Sequence, residues 1–190
     1  MTGTTVYGYD VAGNRTLMAD PLGRTTAYTY DDAGQQTALQ QPDGSVLTTT
    51  YDPTGNAITR TDALGNATTY GYDSLDRVIT TTDPLARTTT DAYDLSGNRT
   101  SVVDPLGRTT MYGYDALDRT SAITYADGAT PTVRYTYTAT GQRQSMADGA
   151  GTTTYQYDAL DRPIAVTNGT TQRRAAPRRQ VHVRHRRRRL

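Results

Sequence analysis

Residues 9–31 of the chain read YDVAGNRTLMADPLGRTTAYTYD, and variants of this stretch recur along most of the sequence. The first tyrosine of each recurrence lies 21 residues from the next five times, and then 23 and 20 residues from it. These tyrosines are Tyr9, Tyr30, Tyr51, Tyr72, Tyr93, Tyr114, Tyr137 and Tyr157. A sustained period of this length indicates a repeat architecture. We therefore interpret residues 1–172 as an array of about eight units.

The first turn of each unit follows the Tyr-Asp pair. Asp10 can accept hydrogen bonds from backbone amides ahead of it, and Gly13 can adopt the left-handed conformation that closes a hairpin. The equivalent position holds Gly34, Gly55, Gly97 and Gly141 in four units, and Asp76, Asp118 and Asp161 in three others. Because aspartate tolerates a positive φ, we expect the same turn in every unit.

The second turn of each unit is represented by the sequence Asp20-Pro21-Leu22-Gly23. Proline is suited to the first corner of a type I turn, and glycine to the bulge after it. The same offset from the tyrosine holds Gly44, Gly65, Gly107 and Gly128. Ala86 replaces glycine in one unit, where we expect backbone strain or a different turn.

The residues between the turns alternate as in a β-strand. Thr26, Tyr28 and Tyr30 should lie on one face, with Thr25, Ala27 and Thr29 on the other. We predict an all-β chain of tandem antiparallel hairpins forming a meandering or spiralling sheet. We expect a core between the strands to be filled by the tyrosine pairs Tyr7 and Tyr9, Tyr28 and Tyr30, Tyr70 and Tyr72, and Tyr112 and Tyr114. Stability should then depend on neighbouring repeats.

The composition excludes several classes of site. Cysteine is absent, so there is no disulfide framework and no thiolate metal site. The two histidines, His182 and His185, lie after residue 172, which excludes histidine-dependent triads and histidine metal sites from the array. Nearly every aspartate falls at a turn, where it caps amides. We expect no catalytic, cofactor-binding or metal-binding residue, and therefore no enzyme.

Residues 173–190 differ from the array in charge. They contain nine arginines and no acid, whereas residues 1–172 contain 11 arginines and 19 aspartates. We interpret this tail as disordered or frameshift-derived. The alternative is a basic arm that binds phosphate backbones, formed by Arg173, Arg174, Arg178 and the run from Arg186 to Arg189. Aromatic residues for stacking on bases are absent there, so nucleic acid is not an expected partner.

Targeting signals are also absent from the sequence. No apolar run is long enough to span a membrane, and the N-terminus lacks the basic and apolar regions of a signal peptide.

The motifs Y-D-x-x-G-N-R-T and D-P-L-G-R, at this period, resemble the YD repeat, also called the RHS repeat. Tyr9-Asp10 with Gly13-Asn14 matches the family pattern, as do the equivalent pairs at 51–56 and 93–98. The resemblance covers residues 7 to about 168. It implies a strip of β-sheet that winds into a hollow shell, of which this chain is a fragment.

The resemblance also implies a structural function. The chain would belong to a shell that encapsulates or displays a C-terminal effector in secretion or intercellular competition. Its partners would be the rest of the shell and the effector, and its location secreted or cell-surface as part of the parent protein. Arg24 and Arg108 stand where the family's self-cleaving D-P-x-G-L motif has leucine, so that site is not expected here. The alternative is a cell-surface carbohydrate-binding or adhesive module, with carbohydrate as a partner.

Overall fold

The computed structural model describes residues 3–170, which form 16 β-strands. The strands are β1 (Val6–Tyr9), β2 (Arg15–Ala19), β3 (Thr25–Tyr30), β4 (Gln36–Gln40), β5 (Val46–Tyr51), β6 (Ala57–Thr61), β7 (Ala67–Tyr72), β8 (Val78–Thr82), β9 (Thr88–Tyr93), β10 (Arg99–Val103), β11 (Thr109–Tyr114), β12 (Thr120–Tyr125), β13 (Val133–Tyr137), β14 (Arg143–Asp148), β15 (Gly151–Tyr157) and β16 (Pro163–Thr170). The all-β prediction is confirmed. Within residues 3–170 there is no helix with the length and apolarity needed to cross a membrane.

The chain divides into two units, with the boundary between Thr132 and Val133. The first unit contains β1 to β12 and the second contains β13 to β16. Within each unit, every strand pairs antiparallel with the strand before and after it in sequence. The predicted meander of short strands is therefore confirmed within each unit.

A single turn geometry joins most of the strands. At the first turn the Asp10 amide donates to the Asn14 carbonyl at 2.9 Å, and the Gly13 amide donates to the Asp10 carbonyl at 3.1 Å. Gly13 has a φ of 89°, as the bulge residue after a type I turn requires. The same pair of bonds closes the turns that begin at Asp20, Asp31, Gln41, Asp52, Asp62, Asp73, Asp83, Asp94, Asp104, Asp115, Thr138 and Asp158. Both predicted turns of the repeat are thus the same turn.

The non-glycine residues in the left-handed slot keep this geometry. Asp76, Asp118 and Asp161 have φ values of 58°, 56° and 59°, which confirms the prediction for aspartate. Ala86 has a φ of 60°, and its amide donates to the Asp83 carbonyl at 2.9 Å as in the other turns. The expected strain at Ala86 is present, whereas the expectation of a different turn there was wrong.

The turns form two edges of the array. We call the edge with turns that follow a Tyr-Asp pair the tyrosine edge, and the opposite one the proline edge. On the tyrosine edge the pairing slips by one residue beside each turn: Tyr9 pairs with Arg15, but Gly8 pairs with Leu17. The slip recurs at every described hairpin of this edge. Such a bulge adds one residue to a strand and changes the face to which the following side chains point. Because the repeat length is odd, equivalent residues of successive repeats would lie on opposite faces without it.

The two faces of the sheet differ in how far their side chains are exposed within the described residues of the first unit. In β5, the even-numbered Thr48 and Thr50 are exposed while Leu47, Thr49 and Tyr51 are half-buried, and β3 also places Tyr28 and Tyr30 together. No side chain in the described residues is buried. The expected core between the strands was therefore wrong: within each unit, the described tyrosines lie half-buried or exposed on one face of the sheet. We call this face the tyrosine face.

Candidate functional site

The recurring side-chain feature of the molecule is the aspartate that opens most of the turns. The Asp10 Oδ1 atom accepts from the amides of Ala12 at 2.9 Å and Asn14 at 2.8 Å. Its Oδ2 atom accepts from the Asn14 side-chain amide at 3.0 Å. The carboxylate thus holds both its own turn and the first residue after it, which confirms the predicted amide-capping role.

Arginine replaces asparagine after the turn in several repeats. Arg77, Arg119 and Arg162 form ion pairs with Asp73, Asp115 and Asp158 at 2.6–2.7 Å. In each case the hydrogen bond from the arginine side chain is the main cause that lowers the pKa of the aspartate below its ordinary value. These carboxylates are therefore ionised acceptors at neutral pH, as a turn-capping role requires.

Aspartate in the left-handed slot connects neighbouring turns of the tyrosine edge. The Asn56 side-chain amide donates to Asp76 Oδ1 at 2.6 Å, and Asn98 donates to Asp118 Oδ1 at 2.7 Å. In the second unit, the Thr140 hydroxyl donates to Asp161 Oδ1 at 3.3 Å. We call these bonds the turn bridges. Sequence reasoning missed them, although the alternation of glycine and aspartate in this slot was a visible signal.

Tyrosines of the Tyr-Asp pairs from Tyr30 onward bond to the preceding repeat. The Tyr93 hydroxyl donates to the backbone carbonyl of Val78 at 3.0 Å. The acceptor is the residue at the bulge, directly across from the previous tyrosine. Equivalent bonds run from Tyr30 to Arg15, Tyr51 to Gln36, Tyr72 to Ala57, Tyr114 to Arg99 and Tyr157 to Arg143. The hydroxyl thus links the tyrosine of one repeat to the bulge of the repeat before it.

Arginines at the bulges lie over tyrosine rings. The Arg15 guanidinium lies 4.6 Å from the Tyr28 ring centre, and Arg99 lies 5.1 Å from the Tyr112 ring centre. In the second unit Arg143 lies 4.7 Å from the Tyr135 ring centre. At these distances cation and ring attract each other. Rings and guanidinium groups therefore lie in contact on the tyrosine face.

The Asp-Pro-Leu-Gly-Arg motif, which differs from the family's self-cleaving motif by its arginine, forms an ordinary turn. Asp20 Oδ1 accepts from the amides of Leu22 at 2.8 Å and Arg24 at 3.0 Å, and Asp20 Oδ2 accepts from Arg24 Nε at 2.6 Å. The carboxylate of Asp104 makes the same three contacts with Leu106 and Arg108. These aspartates are engaged as structural acceptors. Among residues 3–170 no group of histidine, cysteine, aspartate or glutamate is arranged to hold a metal ion.

The predictions for the tail fall beyond the part of the chain that the structure describes. His182, His185 and the arginines from Arg173 onward all lie outside residues 3–170. The disordered or frameshift-derived interpretation of the tail, and the alternative of a basic arm, therefore both stay predictions.

Two solved structures show the same fold. The structure of the Photorhabdus luminescens Tc holotoxin pore contains a chain that is 20% identical over 85% of this chain, with a TM-score of 0.67. The crystal structure of a TcdB2-TccC3-TEV complex contains one that is 15% identical over 86% of this chain, with a TM-score of 0.58. This chain spans 10% and 13% of those two chains. No curated protein sequence matches it.

The model of the family described as RHS Repeat matches four stretches, residues 9–46, 51–88, 93–130 and 137–173. Each stretch begins at one of the recurring tyrosines and includes the next one. The matches cover well over half of the sequence and confirm the resemblance based on Tyr9-Asp10 and its recurrences. The chain therefore belongs to the RHS repeat family.

Proposed function

We propose that this chain is a wall segment of a larger shell, with a structural role in enclosing or displaying a C-terminal effector. The observation that carries the proposal is the pairing of every strand with its sequence neighbours inside each unit, without a buried side chain in residues 3–170. Such a sheet extends simply by the addition of repeats. The solved chains of similar fold come from toxin assemblies, which supports a toxin-associated shell.

The proposed role requires no chemistry from this segment. The turn aspartates are occupied by amides and by arginine or asparagine side chains, and the tyrosine hydroxyls donate to backbone carbonyls. The proposed partners are the remainder of the shell and the effector that it surrounds. The parent protein would then act outside the producing cell, by secretion or at the cell surface.

Protease protection of the parent protein tests the enclosure. We would purify the complete polypeptide encoded around this segment and digest it at neutral pH, following the C-terminal region by mass spectrometry. The control is the C-terminal region produced alone and digested at the same protease concentration. The proposal expects a long-lived C-terminal region in the parent and rapid digestion of the isolated one. Equal digestion rates would refute enclosure of the effector. Display of the effector on an open surface would then be the remaining role.

A glycan array tests the alternative of a carbohydrate-binding or adhesive module. Rings on the tyrosine face are covered in part by guanidinium groups, as for Tyr28 under Arg15 and Tyr112 under Arg99. A sugar ring would have to displace those cations before it could stack. We therefore expect no binding by the isolated chain, and selective binding to one class of glycan would favour the alternative.

A further inference from the structure

A cavity lies in the first unit, close to where the 21-residue period first fails. Its volume is about 590 Å³, within the range of small-molecule sites. It is lined by Val102, Asp104, Gly107, Arg108, Thr109, Thr110, Tyr125, Ala126, Asp127 and Thr130. The next tyrosine-edge tyrosine follows after 23 residues instead of 21. A departure from a regular array at a cavity is a reason to look for a function.

The floor of the cavity is a row of side chains across three strands. Val102 of β10 pairs with Thr110 of β11, and Thr110 pairs with Tyr125 of β12. Paired residues of neighbouring strands point to the same face. The floor therefore belongs to the tyrosine face, and it combines an aliphatic side chain, a hydroxyl and an aromatic ring.

One wall is the turn from Asp104 to Arg108, and the other is the segment that follows β12. The Ala126 amide donates to the Thr109 carbonyl at 2.9 Å, which extends the strand pairing by one residue. The chain then reverses at Gly128, which has a φ of 65°. Asp127 Oδ1 fixes this reversal, since it accepts from the amides of Ala129 at 3.0 Å and Thr130 at 2.8 Å.

The cavity carries an excess negative charge. Its cation, Arg108, is paired with Asp104, because Nε and Nη2 both lie 2.5 Å from Asp104 Oδ2. Asp127 forms no ion pair within the described residues, and its Oδ2 atom accepts from the Thr130 hydroxyl. That hydroxyl is the main cause that lowers the pKa of Asp127, so its carboxylate is ionised at neutral pH. Two carboxylates and one guanidinium leave one negative charge uncompensated.

We propose that this cavity binds a small organic cation, namely an ammonium group attached to an apolar body. The carboxylate of Asp127 supplies the charge-assisted acceptor, and the Tyr125 ring supplies a face that attracts cations. Val102 gives the apolar body a surface to contact. An anion fits less well, since the guanidinium edge of Arg108 already faces Asp104 and Asp127 would repel the incoming charge.

Three probes with the same phenyl group and a different charge on the terminal group test whether charge determines binding. We would titrate the 190-residue chain with 2-phenylethylammonium, 2-phenylethanol and 3-phenylpropanoate, and measure binding by calorimetry and by NMR shifts near Tyr125. The proposal expects the ammonium probe to bind at least about tenfold more tightly than the alcohol, and the carboxylate to bind least. Equal binding of the ammonium and the alcohol, tighter binding of the carboxylate, or no binding of the ammonium would overturn it.

A pair of variants tests the role of Asp127. Asp127→Asn removes the charge in the cavity, while Asp43→Asn removes a turn carboxylate of the same edge that lies outside the cavity. We expect the first variant to weaken the ammonium probe about tenfold and the second to leave it unchanged. Equal effects of the two would overturn the proposal. If Asp127→Asn does not fold, we would measure how the affinity of the wild-type chain for the ammonium probe depends on salt. An affinity that does not fall with added salt would contradict a charged contact and overturn the proposal.

Discussion

The two edges of the array share one turn but connect their neighbours differently. On the proline edge, the turn from Asp104 to Arg108 is self-contained: its carboxylate binds two amides and the arginine of the same turn. On the tyrosine edge, the turn from Asp94 to Asn98 has an equivalent carboxylate, but Asn98 also donates to Asp118 of the next turn. Tyrosine hydroxyls add bonds to the carbonyls at the bulges on this edge.

This difference shows where the repeats are joined. In residues 3–170 no hydrogen bond connects successive proline-edge turns, and leucines at their tips such as Leu64 and Leu106 are 88% and 78% exposed. Hydrogen bonds within each turn therefore stabilise the individual hairpins, and contacts on the tyrosine edge join successive repeats. Variants at matched positions of the two edges should separate these contributions.

Acid should have the largest effect, because it acts on both edges at once. Hydrogen bonds from Asn14 and Arg87 are the main causes that lower the pKa values of Asp10 and Asp83. A lowered folded-state pKa gives stability that is complete above the ordinary aspartate value of about 3.9 and is lost as the pH falls through the lowered value. We expect cooperative loss of the sheet below about pH 4, measured by circular dichroism. A sheet signal that persists to about pH 2 would contradict this.

Loss of one tyrosine hydroxyl should have the next largest effect. Tyr93→Phe removes the bond to the Val78 carbonyl, so we expect a loss of about 1–1.5 kcal/mol in the free energy of unfolding. The control is Tyr112→Phe, since the Tyr112 hydroxyl accepts from the exposed Arg99 side chain at 3.3 Å and should contribute less than about 0.5 kcal/mol. Urea unfolding measures both, and equal losses would remove the special role of the bulge carbonyl.

Relief of the strained alanine should stabilise the proline edge. Ala86→Gly keeps the turn while removing the steric penalty of a side chain at a φ of 60°, so we expect a gain of about 1 kcal/mol. The matched change on the tyrosine edge, Asp76→Gly, relieves a similar backbone but breaks the bond from Asn56. Thermal unfolding should therefore show a higher Tm for the first variant and an unchanged or lower Tm for the second.

Removal of a turn bridge should cost less than a tyrosine hydroxyl. Asn98→Ala removes donors to both Asp94 and Asp118, while Asn66→Ala on the proline edge removes a donor to Asp62 alone. We expect the first variant to lose about 0.5–1 kcal/mol more than the second. Denaturant titration of the two variants gives this difference directly, and a difference near zero would show that the turn bridges do not couple repeats.

The smallest expected effect is the addition of a bridge that the first pair of turns lacks. Gly34 occupies the slot where later pairs carry aspartate, and a Cβ atom there would lie 3.8–4.0 Å from the Asn14 side-chain amide. Gly34→Asp should form the bond at some backbone cost, for a net gain of about 0.5 kcal/mol. The control is Gly107→Asp on the proline edge, where nothing lies near the new Cβ and only the backbone cost remains. A gain at Gly107 equal to that at Gly34 would argue against a bridge.

Turn chemistry made most of the fold predictable from sequence. Asp10 and Gly13 specify their hairpin by local hydrogen bonding and backbone conformation, and neither depends on distant residues. The bulge was not predicted, because no residue type marks the position of Arg15 as a bulge. Its trace in the sequence was the odd repeat length, since equivalent residues of successive repeats would otherwise lie on opposite faces of the sheet.

The tyrosine face was placed correctly and interpreted wrongly. Alternation predicts that Tyr28 and Tyr30 share a face, but alternation in one strand does not reveal whether a second layer covers that face. The turn bridges depend on contacts between units, such as Asn98 to Asp118, that lie 20 residues apart. Local reasoning explained why aspartate is tolerated at a φ of 56° without finding what its carboxylate does.

The turn bridges also restrict how such a gene can change length. The family matches that begin at residues 51 and 93 each span one bridged pair, since Asn56 and Asp76 lie in the first of them and Asn98 and Asp118 in the second. Unequal recombination that adds or deletes a whole pair keeps every asparagine opposite its aspartate. Within residues 51–130, where glycine and aspartate slots alternate, the loss or gain of a single unit would leave two glycine slots, or two aspartate slots, side by side. Selection should therefore favour arrays that evolve by doublets.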